Sequence, residues 1–490
     1  MAGICSVWIV RAILTPFLAL LAIAAAAAAQ PAKAASSAAK PNIILVLADD
    51  LGYGEVGCYG QKLIQTPNLD RLAAEGMRFT QFYAGNTVCA PSRSVLMTGL
   101  HMGHTRVRGN AGNRNMAAQS LRTGDVTVAR VLQQAGYATG LVGKWGLGEV
   151  RSEGNPRRHG FDYYFGFLNQ THAHNHFPAF LWRNDEKVPL PNVVTPVGDT
   201  EGAGYATERV VYADDLCAEE SRKFVEQHKD RPFFLFVSLV TPHANNERTR
   251  VLGEGNEVPD QGRYANESWT DSARNHAAMI SRLDRDLGAL LDLLKRLQLD
   301  ERTLVMFSSD NGPHREGGPR YDPAFFTASG PLRGIKRDLT DGGIRVPFIA
   351  RWPGKIKPGT VSGHVGYFGD LMATWAELGG GQPPPKLDSI SLVPTLLGRG
   401  TQRKHDYLYW EFYEQGVSQA LLLDGHWKAI RLKKVDAAIA LYDLNSNLAE
   451  NPNVAAQHPE IVARAAALMK TARYDNEYWK LAGAPAAAPR

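Results

Sequence analysis

Uninterrupted apolar runs recur along the first 350 residues and predict strands that are buried on both faces. These runs cover residues 42–48, 137–142, 232–239, 303–307 and 346–350. Runs of this length without polar alternation are typical of strands in a parallel sheet. Segments with helical periodicity separate them, at residues 66–73, 126–135, 214–228 and 272–297. This alternation predicts an α/β fold with a mostly parallel central sheet flanked by helices.

The pattern changes after a Gly/Pro-rich connection at residues 379–385. The apolar runs that follow are short, and Asp424-Gly425 between two of them is typical of a hairpin turn. A final helical pattern covers residues 459–471. We therefore expect a catalytic domain at residues 41–395 and a smaller C-terminal subdomain at 396–490, built from an antiparallel sheet and one helix.

The N-terminus has the pattern of a signal for export. Arg11 precedes an apolar, Ala-rich run over residues 12–29 that ends before Gln30-Pro31. This pattern predicts a signal peptide at residues 1–29 and a disordered leader at 30–40. Since residues 4–29 are long enough to span a bilayer, an uncleaved anchor is the alternative. We expect an exported protein, either periplasmic or extracellular.

Composition and charge limit the kinds of molecule that the protein is expected to bind. The hydrophobic fraction is 44% and the charged fraction 21%, with a net charge of only +5 from scattered Lys and Arg. These values are ordinary for a globular protein and give no indication of nucleic-acid binding. One of the four cysteines, Cys5, lies in the predicted signal peptide. The others form no disulfide framework, and Cys58 and Cys217 either pair or stay buried.

Polar clusters directly follow four of the predicted strands. They contain Asp49-Asp50, Lys144, His243 and Asp310-Asn311. The carboxyl ends of parallel strands meet at one edge of a sheet, where open α/β sheets build their sites. Adjacent carboxylates repel each other, so the Asp49-Asp50 pair indicates a cation.

The segment Cys89-Ala90-Pro91-Ser92-Arg93 reads as the start of a helix that continues to Thr98-Gly99. Pro91 suits the first turn, which places Cys89 at the helix N-terminus. There the free N–H groups favour an anion and are expected to lower the pKa of the thiol. The pattern C-x-P-S-R-x-x-x-x-T-G resembles the signature of the sulfatase family, in which this cysteine is oxidised to formylglycine.

The resemblance extends from Asn42 to the Leu441-Tyr442-Asp443-Leu444 stretch and implies an alkaline-phosphatase-like fold. It implies that an oxygen of the modified Cys89 completes a metal site formed by Asp49, Asp50, Asp310 and Asn311. An all-oxygen set of ligands suits Ca²⁺ first and Mg²⁺ second.

The resemblance also implies an anion-binding set. Arg93 and Lys144 resemble the residues that hold the formylglycine hydrate and the sulfate. His243 and Lys336 resemble the pair that binds the ester and protonates the leaving oxygen.

One position departs from the family pattern. The family commonly has Gly-Lys-Trp-His, whose His is thought to help deprotonate the hydrate, and here that position is Gly146. Downstream, His172, His174 and His176 alternate with other residues, and Arg183 follows Phe180-Leu181-Trp182. We interpret these four residues as candidate substrate contacts in a cleft loop. A metal site and a plain surface loop are the alternatives for the three His.

The sequence therefore predicts a sulfuric ester hydrolase that acts on a small-molecule or oligosaccharide sulfate ester, with a sulfated carbohydrate favoured. One hydroxyl of the hydrate would attack sulfur, and the second would then collapse to the aldehyde and expel sulfate. A formylglycine-generating maturation enzyme is an implied partner, and the oligomeric state stays open. A phosphodiester or phosphonate hydrolase and a non-catalytic binder of sulfated glycans are the rival hypotheses.

Overall fold

The computed structural model describes residues 40–111, 115–414 and 416–481. The predicted signal peptide and all but the last residue of the predicted leader lie outside the described residues. Within the described ranges, no helix is long and apolar enough to cross a membrane.

The strands of the described residues are β1 Asn42–Asp49, β2 Met77–Phe79, β3 Phe82–Tyr83, β4 Ala138–Lys144, β5 Tyr163–Phe167, β6 Phe180–Arg183, β7 Glu186–Pro189, β8 Val193–Pro196, β9 Gly204–Glu208, β10 Phe233–Pro242, β11 Thr303–Ser309, β12 Phe348–Arg351, β13 Thr360–Ser362, β14 Gly366–Tyr367, β15 Tyr407–Phe412, β16 Ser418–Leu423, β17 Trp427–Arg431 and β18 Ala440–Asp443.

The α-helices of the same residues are α1 Pro67–Ala74, α2 Cys89–Thr98, α3 Met116–Gln119, α4 Val128–Gln134, α5 Gln170–Ala173, α6 Ala213–Gln227, α7 Asn246–Leu252, α8 Asp271–Arg296, α9 Asp341–Ile344, α10 Asp370–Gly379, α11 Val393–Leu397 and α12 Pro459–Thr471.

A ten-stranded sheet forms the centre of the molecule, in the order β13-β2-β12-β11-β1-β10-β4-β5-β6-β7. Its middle strands, from β11 to β5, are all parallel. The predicted α/β fold with a mostly parallel sheet is confirmed. The predicted strand at residues 346–350 becomes β12, which pairs with β11 in the antiparallel direction. A buried apolar run does not encode strand direction, since both faces are covered in either case.

Side chains of β1 alternate between two hydrophobic layers. Ile43 and Leu45 pack in the layer that contains residues of α4 and α10. Ile44 and Val46 pack in the layer that contains residues of α6 and α8. Successive side chains of a strand point to opposite faces, so an apolar residue is required at every position of this strand. The helices on both faces thus explain the uninterrupted run.

The long predicted helix is confirmed as α8. It begins after Thr270, whose side chain accepts a hydrogen bond from the Ala273 N–H and so satisfies a free donor of the first turn. Its apolar side chains at helical spacing are buried, namely Ile280, Leu283, Leu287, Leu290, Leu291 and Leu294. This helix covers the sheet beside β10 and leaves the carboxyl ends of the strands to the loops.

The C-terminal region forms a separate antiparallel sheet in the order β15-β16-β17-β18. Its turn after β16 contains Asp424 at φ 51° and Gly425 at φ 78°, as expected for a hairpin turn that needs positive φ. Helix α12 lies against β16. The predicted boundary between residues 395 and 396 falls within α11 and stays a prediction. Cys58 and Cys217 are both free thiols, so they do not pair.

Candidate active site

Polar residues from the ends of neighbouring parallel strands meet at one edge of the central sheet. Asp49 and Lys144 are the last residues of β1 and β4, and His243 directly follows β10. Asp310 and Asn311 directly follow β11. All five side chains are buried. The structure therefore brings the predicted strand-end clusters together, as the parallel topology requires.

Cys89 is the first residue of α2, as its pattern predicts. Its Sγ lies 3.1 Å from Asp49 Oδ1, so the helix N-terminus faces the end of β1. The helix ends at Gly99, which has a φ of 69°, a conformation that favours glycine. The start of α2 thus holds Cys89 against the end of β1, and the helix ends before Gly99.

The expected lowering of the Cys89 pKa is wrong. Complete burial and the negative charge of Asp49 raise the pKa of the thiol well above its usual value, and Lys144 offsets this only in part. The dipole of a helix N-terminus is a weak effect, whereas desolvation of a buried anion is a strong one. Cys89 is therefore a neutral thiol in this site and is not poised to react as a thiolate.

Arg93 binds protein groups on several sides. Its Nε and Nη2 donate to Asp310 Oδ2 at 3.1 and 2.9 Å. Its Nη1 donates to Ser238 Oγ at 2.5 Å and to the Lys144 carbonyl at 2.8 Å. The guanidinium lies 3.7 Å from Asp49 Oδ2. Arg93 thus orients the carboxylates in addition to adding positive charge beside Cys89.

We name Asp49, Asp50, Asp310 and Asn311 the acidic floor. The Lys144 ammonium lies 2.5 Å from Asp49 Oδ2, the Asp50 N–H donates to Asp310 Oδ1 at 3.2 Å, and Asn311 Nδ2 donates to Asp50 Oδ1 at 2.7 Å. Asp50 adopts a φ of 67°, which is uncommon for a residue other than glycine. These contacts hold three carboxylates in one small volume.

The carboxylates of the floor have different pKa values. Burial raises the pKa of Asp49, but the charges of Lys144 and Arg93 oppose it, and the value lies well below the usual range. Burial raises the pKa of Asp50 to about 7, although Lys336 opposes it. Burial and the charge of Asp49 raise the pKa of Asp310 to about 6. A further cation would lower the last two values.

The donor set fits a hard cation. Ligand atoms of Asp49, Asp50, Cys89 and His243 all lie within 4.8 Å of one another. Asn311 Oδ1 is buried and has no hydrogen-bond partner among the described residues. A buried carbonyl oxygen without a donor is rare, and carboxylate and amide oxygens are the ligands that Ca²⁺ and Mg²⁺ prefer.

Lys336 and His243 form a basic pair beside the floor. Lys336 Nζ lies 2.8 Å from Asp50 Oδ2 and 3.1 Å from His243 Nε2. His243 Nδ1 donates to the Ala244 carbonyl at 2.6 Å, so Nε2 carries the lone pair that accepts from Lys336. Burial and the charge of Lys336 hold the pKa of His243 well below its usual value. Burial opposes the charge on Lys336, but Asp50 and Glu316 raise its pKa well above the usual value.

Glu316 completes this pair and was missed in the sequence. Its Oε2 accepts from Lys336 Nζ at 2.9 Å and lies 3.6 Å from His243 Nε2. Its other oxygen binds Arg337, which also donates to Glu414 at 2.8 Å. The only sequence signal was an acidic residue in the polar stretch after Asp310-Asn311, which is too common to single out.

We name residues 170–176 the α5 wall. The His174 ring stacks on His243 with centroids 4.6 Å apart and planes 10° apart, and its Nδ1 donates to Glu247 Oε2 at 2.8 Å. His176 Nε2 donates to the His243 carbonyl at 2.7 Å. The structure thus brings His174 and His176 to the site. No metal cluster among the described residues contains any of the three wall His.

The other two candidate substrate contacts have different surroundings. His172 is buried between the rings of Phe167 and Phe180, at centroid distances of 5.0 and 4.5 Å. Arg183 has a half-exposed side chain that pairs with Glu220 at 3.2 Å. Neither residue has a recorded contact with the floor or with the basic pair.

Comparison with known proteins agrees with this geometry. The sulfatase family model matches residues 41–381, and the model named N-sulphoglucosamine sulphohydrolase, C-terminal, matches residues 335–474. An N-acetylgalactosamine-6-O-sulfatase of Bacteroides thetaiotaomicron is 31% identical over 89% of this chain and 94% of its own. The N-acetylgalactosamine-6-sulfatase of Canis lupus familiaris is 35% identical over 73% of this chain and 66% of its own.

A solved structure shares the fold. The crystal structure of Ps i-CgsB in complex with a neocarrahexaose superposes with a TM-score of 0.73 at 25% identity, covering 89% of this chain and 93% of its own. The fold and the strand-end site therefore define a hydrolase of the alkaline-phosphatase-like class. Within that class, the chain belongs to the sulfatase family, and it is a sulfatase.

Proposed function

We propose that this sulfatase releases sulfate from a sulfated carbohydrate, with Cys89 oxidised to formylglycine as the nucleophilic residue. The observation that carries the proposal is the position of Cys89, 3.1 Å from Asp49 on a floor of three buried carboxylates. A neutral buried thiol is a poor nucleophile there. An aldehyde hydrate at residue 89 would be uncharged before it reacts, so it suits the site better than a thiolate.

The acidic floor would hold a Ca²⁺ ion, with Mg²⁺ as the second choice. Its ligands would be Asp49, Asp50, Asp310 and the unpartnered Oδ1 of Asn311. When bound, the cation and the hydrate supply an oxygen nucleophile that is easier to deprotonate than water. The paired carboxylates explain why the site needs this charge, since burial and mutual repulsion raise the pKa of Asp50 and Asp310.

The basic residues would bind the ester and stabilise its leaving group. Lys144 and Arg93 place two positive charges around Asp49 and Cys89, where the sulfate oxygens gain negative charge during transfer. Lys336 is the candidate general acid because its ammonium group carries protons beside the floor, 3.1 Å from His243 Nε2. His243, with Nδ1 fixed on the Ala244 carbonyl, orients the Lys336 ammonium and accepts its hydrogen bond.

The carbohydrate would bind against the α5 wall. Relatives of this chain are named for the 6-sulfate of N-acetylgalactosamine, and a structural neighbour contains a carrageenan oligosaccharide. His174 retains Nε2 for a hydroxyl group, because its Nδ1 is fixed by Glu247. Polar groups of this kind, held at the edge of a pocket, select a sugar by its hydroxyl positions.

Export and maturation complete the proposal. The Ala-rich segment of residues 12–29 supports export to the periplasm or beyond, where sulfated glycans are encountered. Oxidation of Cys89 requires a formylglycine-generating enzyme before the buried site closes. Such an enzyme would bind the unfolded segment around residues 89–99, since Cys89 is buried in the fold.

Two measurements on one preparation test the proposal. Mass spectrometry of the peptide that contains residue 89, from a host with the maturation machinery, should show the mass of formylglycine. An unmodified thiol throughout would favour the non-catalytic binder. Matched sulfate and phosphate esters of one sugar should be hydrolysed with the sulfate ester strongly preferred. A preference for the phosphate ester would overturn the proposed reaction.

A further inference from the structure

The side chain of Gln170 occupies the space beside Gly146, the position where the family pattern commonly has His. A Cβ atom on Gly146 would lie 2.6 Å from Gln170 Nε2 and 2.9 Å from its Cδ. Both distances are too short for van der Waals contact, so the carboxamide lies where a side chain at residue 146 would begin. Gly146 has a φ of 78°, which also favours glycine.

The backbone around both residues is held by hydrogen bonds. The Gly146 N–H donates to the Leu168 carbonyl at 3.0 Å, and Gln119 Nε2 donates to the Gly146 carbonyl at 3.2 Å. Asn169 caps α5 by accepting from the Thr171 N–H at 2.7 Å. These hydrogen bonds fix the backbone at both residues, so the fold keeps Gln170 close to Gly146.

The same face of α5 points toward the catalytic residues. Gln170 and His174 are four residues apart, which places them on one side of a helical turn. The His174 ring stacks on His243, and Lys144, two residues before Gly146, reaches Asp49 at 2.5 Å. The carboxamide thus lies beside Gly146, just beyond the strand end that carries Lys144.

The Nε2 group of Gln170 has no hydrogen-bond partner among the described residues, although it is buried. Buried donors are nearly always paired in native proteins. The missing acceptor therefore indicates a group that joins the site later. Neutral amide N–H donors bind oxygens that carry negative charge most strongly.

We propose that Gln170 is a further binding residue of the active site, whose Nε2–H donates a hydrogen bond to a negatively polarised oxygen. That oxygen belongs to the bound sulfate or to the oxidised residue 89. A carboxamide does not take up a proton near neutral pH, so Gln170 stabilises charge at this position and does not act as a base. The inference rests on the proposed function, because both acceptors do.

Binding of inorganic sulfate tests the inference without relying on turnover. Isothermal titration would compare Gln170→Ala and Gln170→Glu with the unchanged residue, in the oxidised protein and in the Cys89→Ala background. Loss of a buried hydrogen bond to an anion should raise the dissociation constant about ten- to a hundredfold. Gln170→Glu keeps the shape but replaces the donor by a carboxylate oxygen, so it should have the larger effect. Gln457→Glu, the same change at an exposed position, should leave the constant unchanged.

The two backgrounds distinguish the acceptors. Weaker sulfate binding in both backgrounds assigns the bond to a sulfate oxygen. Unchanged binding in the Cys89→Ala background, together with at least a tenfold fall in kcat of the oxidised Gln170→Ala protein, assigns it to residue 89. Folded Gln170 variants whose sulfate affinity and kcat both stay within twofold of the parent would overturn the inference. Sulfate ester hydrolysis by the parent in the same assay separates that result from a failure of the proposed function.

A double-mutant cycle gives a second, independent test. Gly146→Ala adds the Cβ atom that would displace the carboxamide, but it also strains the backbone at a φ of 78°. We therefore expect Gln170→Ala to reduce kcat by a smaller factor in the Gly146→Ala background than in the parent, because the carboxamide is already displaced there. An equal factor for Gln170→Ala in both backgrounds would show that its effect does not depend on its place beside Gly146 and would contradict the inference.

Discussion

The acidic floor and the α5 wall both lie against His243 but are built in different ways. The floor contains three carboxylates that are held by Lys144, Arg93 and Lys336. The wall contains an amide and imidazoles that are held by caps, ring stacking and Glu247. Charges in the floor can stabilise a cation and a transition state. The histidines of the wall are suited to binding and orienting a substrate, so chemistry and recognition are divided between the floor and these histidines.

The largest effect is expected when the nucleophilic residue beside the floor is removed. We expect Cys89→Ala to lower kcat at least about 10⁴-fold, because it removes the residue that supplies the attacking oxygen. Initial rates on a sulfated sugar would measure the loss. Cys58→Ala, at a half-buried thiol, should retain near-parental rates. Appreciable turnover by the Cys89→Ala protein would show that the floor does not carry the chemistry in the way described.

Removal of a single ligand tests whether the floor holds a cation. We expect Asn311→Leu to weaken Ca²⁺ binding at least about tenfold, because it deletes the unpartnered Oδ1. Calorimetric titration of chelator-treated protein with Ca²⁺ and then Mg²⁺ would measure both affinities. The control is Asn445→Leu, at an exposed position. Equal Ca²⁺ affinity in the Asn311 variant and the parent would exclude this residue as a ligand.

Acid should destabilise the wall through His172. Burial lowers the pKa of His172 to about 3, from about 6.5 in the unfolded chain. The unfolded chain then binds more protons between these two values, so stability is full above about pH 6.5 and falls as the pH decreases toward 3. The linkage amounts to about 2 kcal/mol at pH 5.

His172→Phe should remove this pH dependence, since a phenyl ring fits beside Phe167 and Phe180. Urea denaturation at pH 8 and pH 5 would give the free energy of unfolding of each protein. We expect the parent to lose about 2 kcal/mol more than the variant between the two pH values. An equal loss in both proteins would mean that His172 does not contribute to acid lability.

The smallest expected effect concerns substrate binding at the wall. We expect His174→Ala to raise KM about three- to tenfold with little change in kcat, since it removes a hydroxyl contact made before and during the reaction. Steady-state kinetics on an oligosaccharide sulfate would show the split. His426→Ala, in the turn of the C-terminal sheet, is the control. A fall in kcat at constant KM would show that His174 acts in the chemical step and not in substrate binding.

Much of the floor could be predicted from local patterns. The apolar run of β1 identifies a strand that is covered on both faces, and the polar residues after it identify the end of that strand. The same reasoning applies to Asp310 after β11. Because parallel strands end at one edge, proximity of these residues follows from the fold class alone. The motif around Cys89 also identifies this residue as the counterpart of the cysteine that is oxidised in the sulfatase family.

The wall could not be predicted in this way. Along the chain His172, His174 and His176 look equivalent, yet one is buried among aromatic rings and two contact His243. Their separation depends on where the short helix α5 begins, which is decided by the Asn169 cap and by packing on the sheet. Short strands such as β6 were also not predicted, because an apolar run of three residues is too short to indicate a strand.

The amino-acid sequence by itself thus determined the long buried strands, the long helix, the residue at the helix start and the acidic cluster, since each depends on neighbours within a few positions. Only the tertiary structure decided that Glu316 joins Lys336, that Gln170 lies against Gly146, and that burial raises the pKa of Cys89. These properties depend on distance in space and on exclusion of water. Both quantities arise only when segments far apart in the chain pack together.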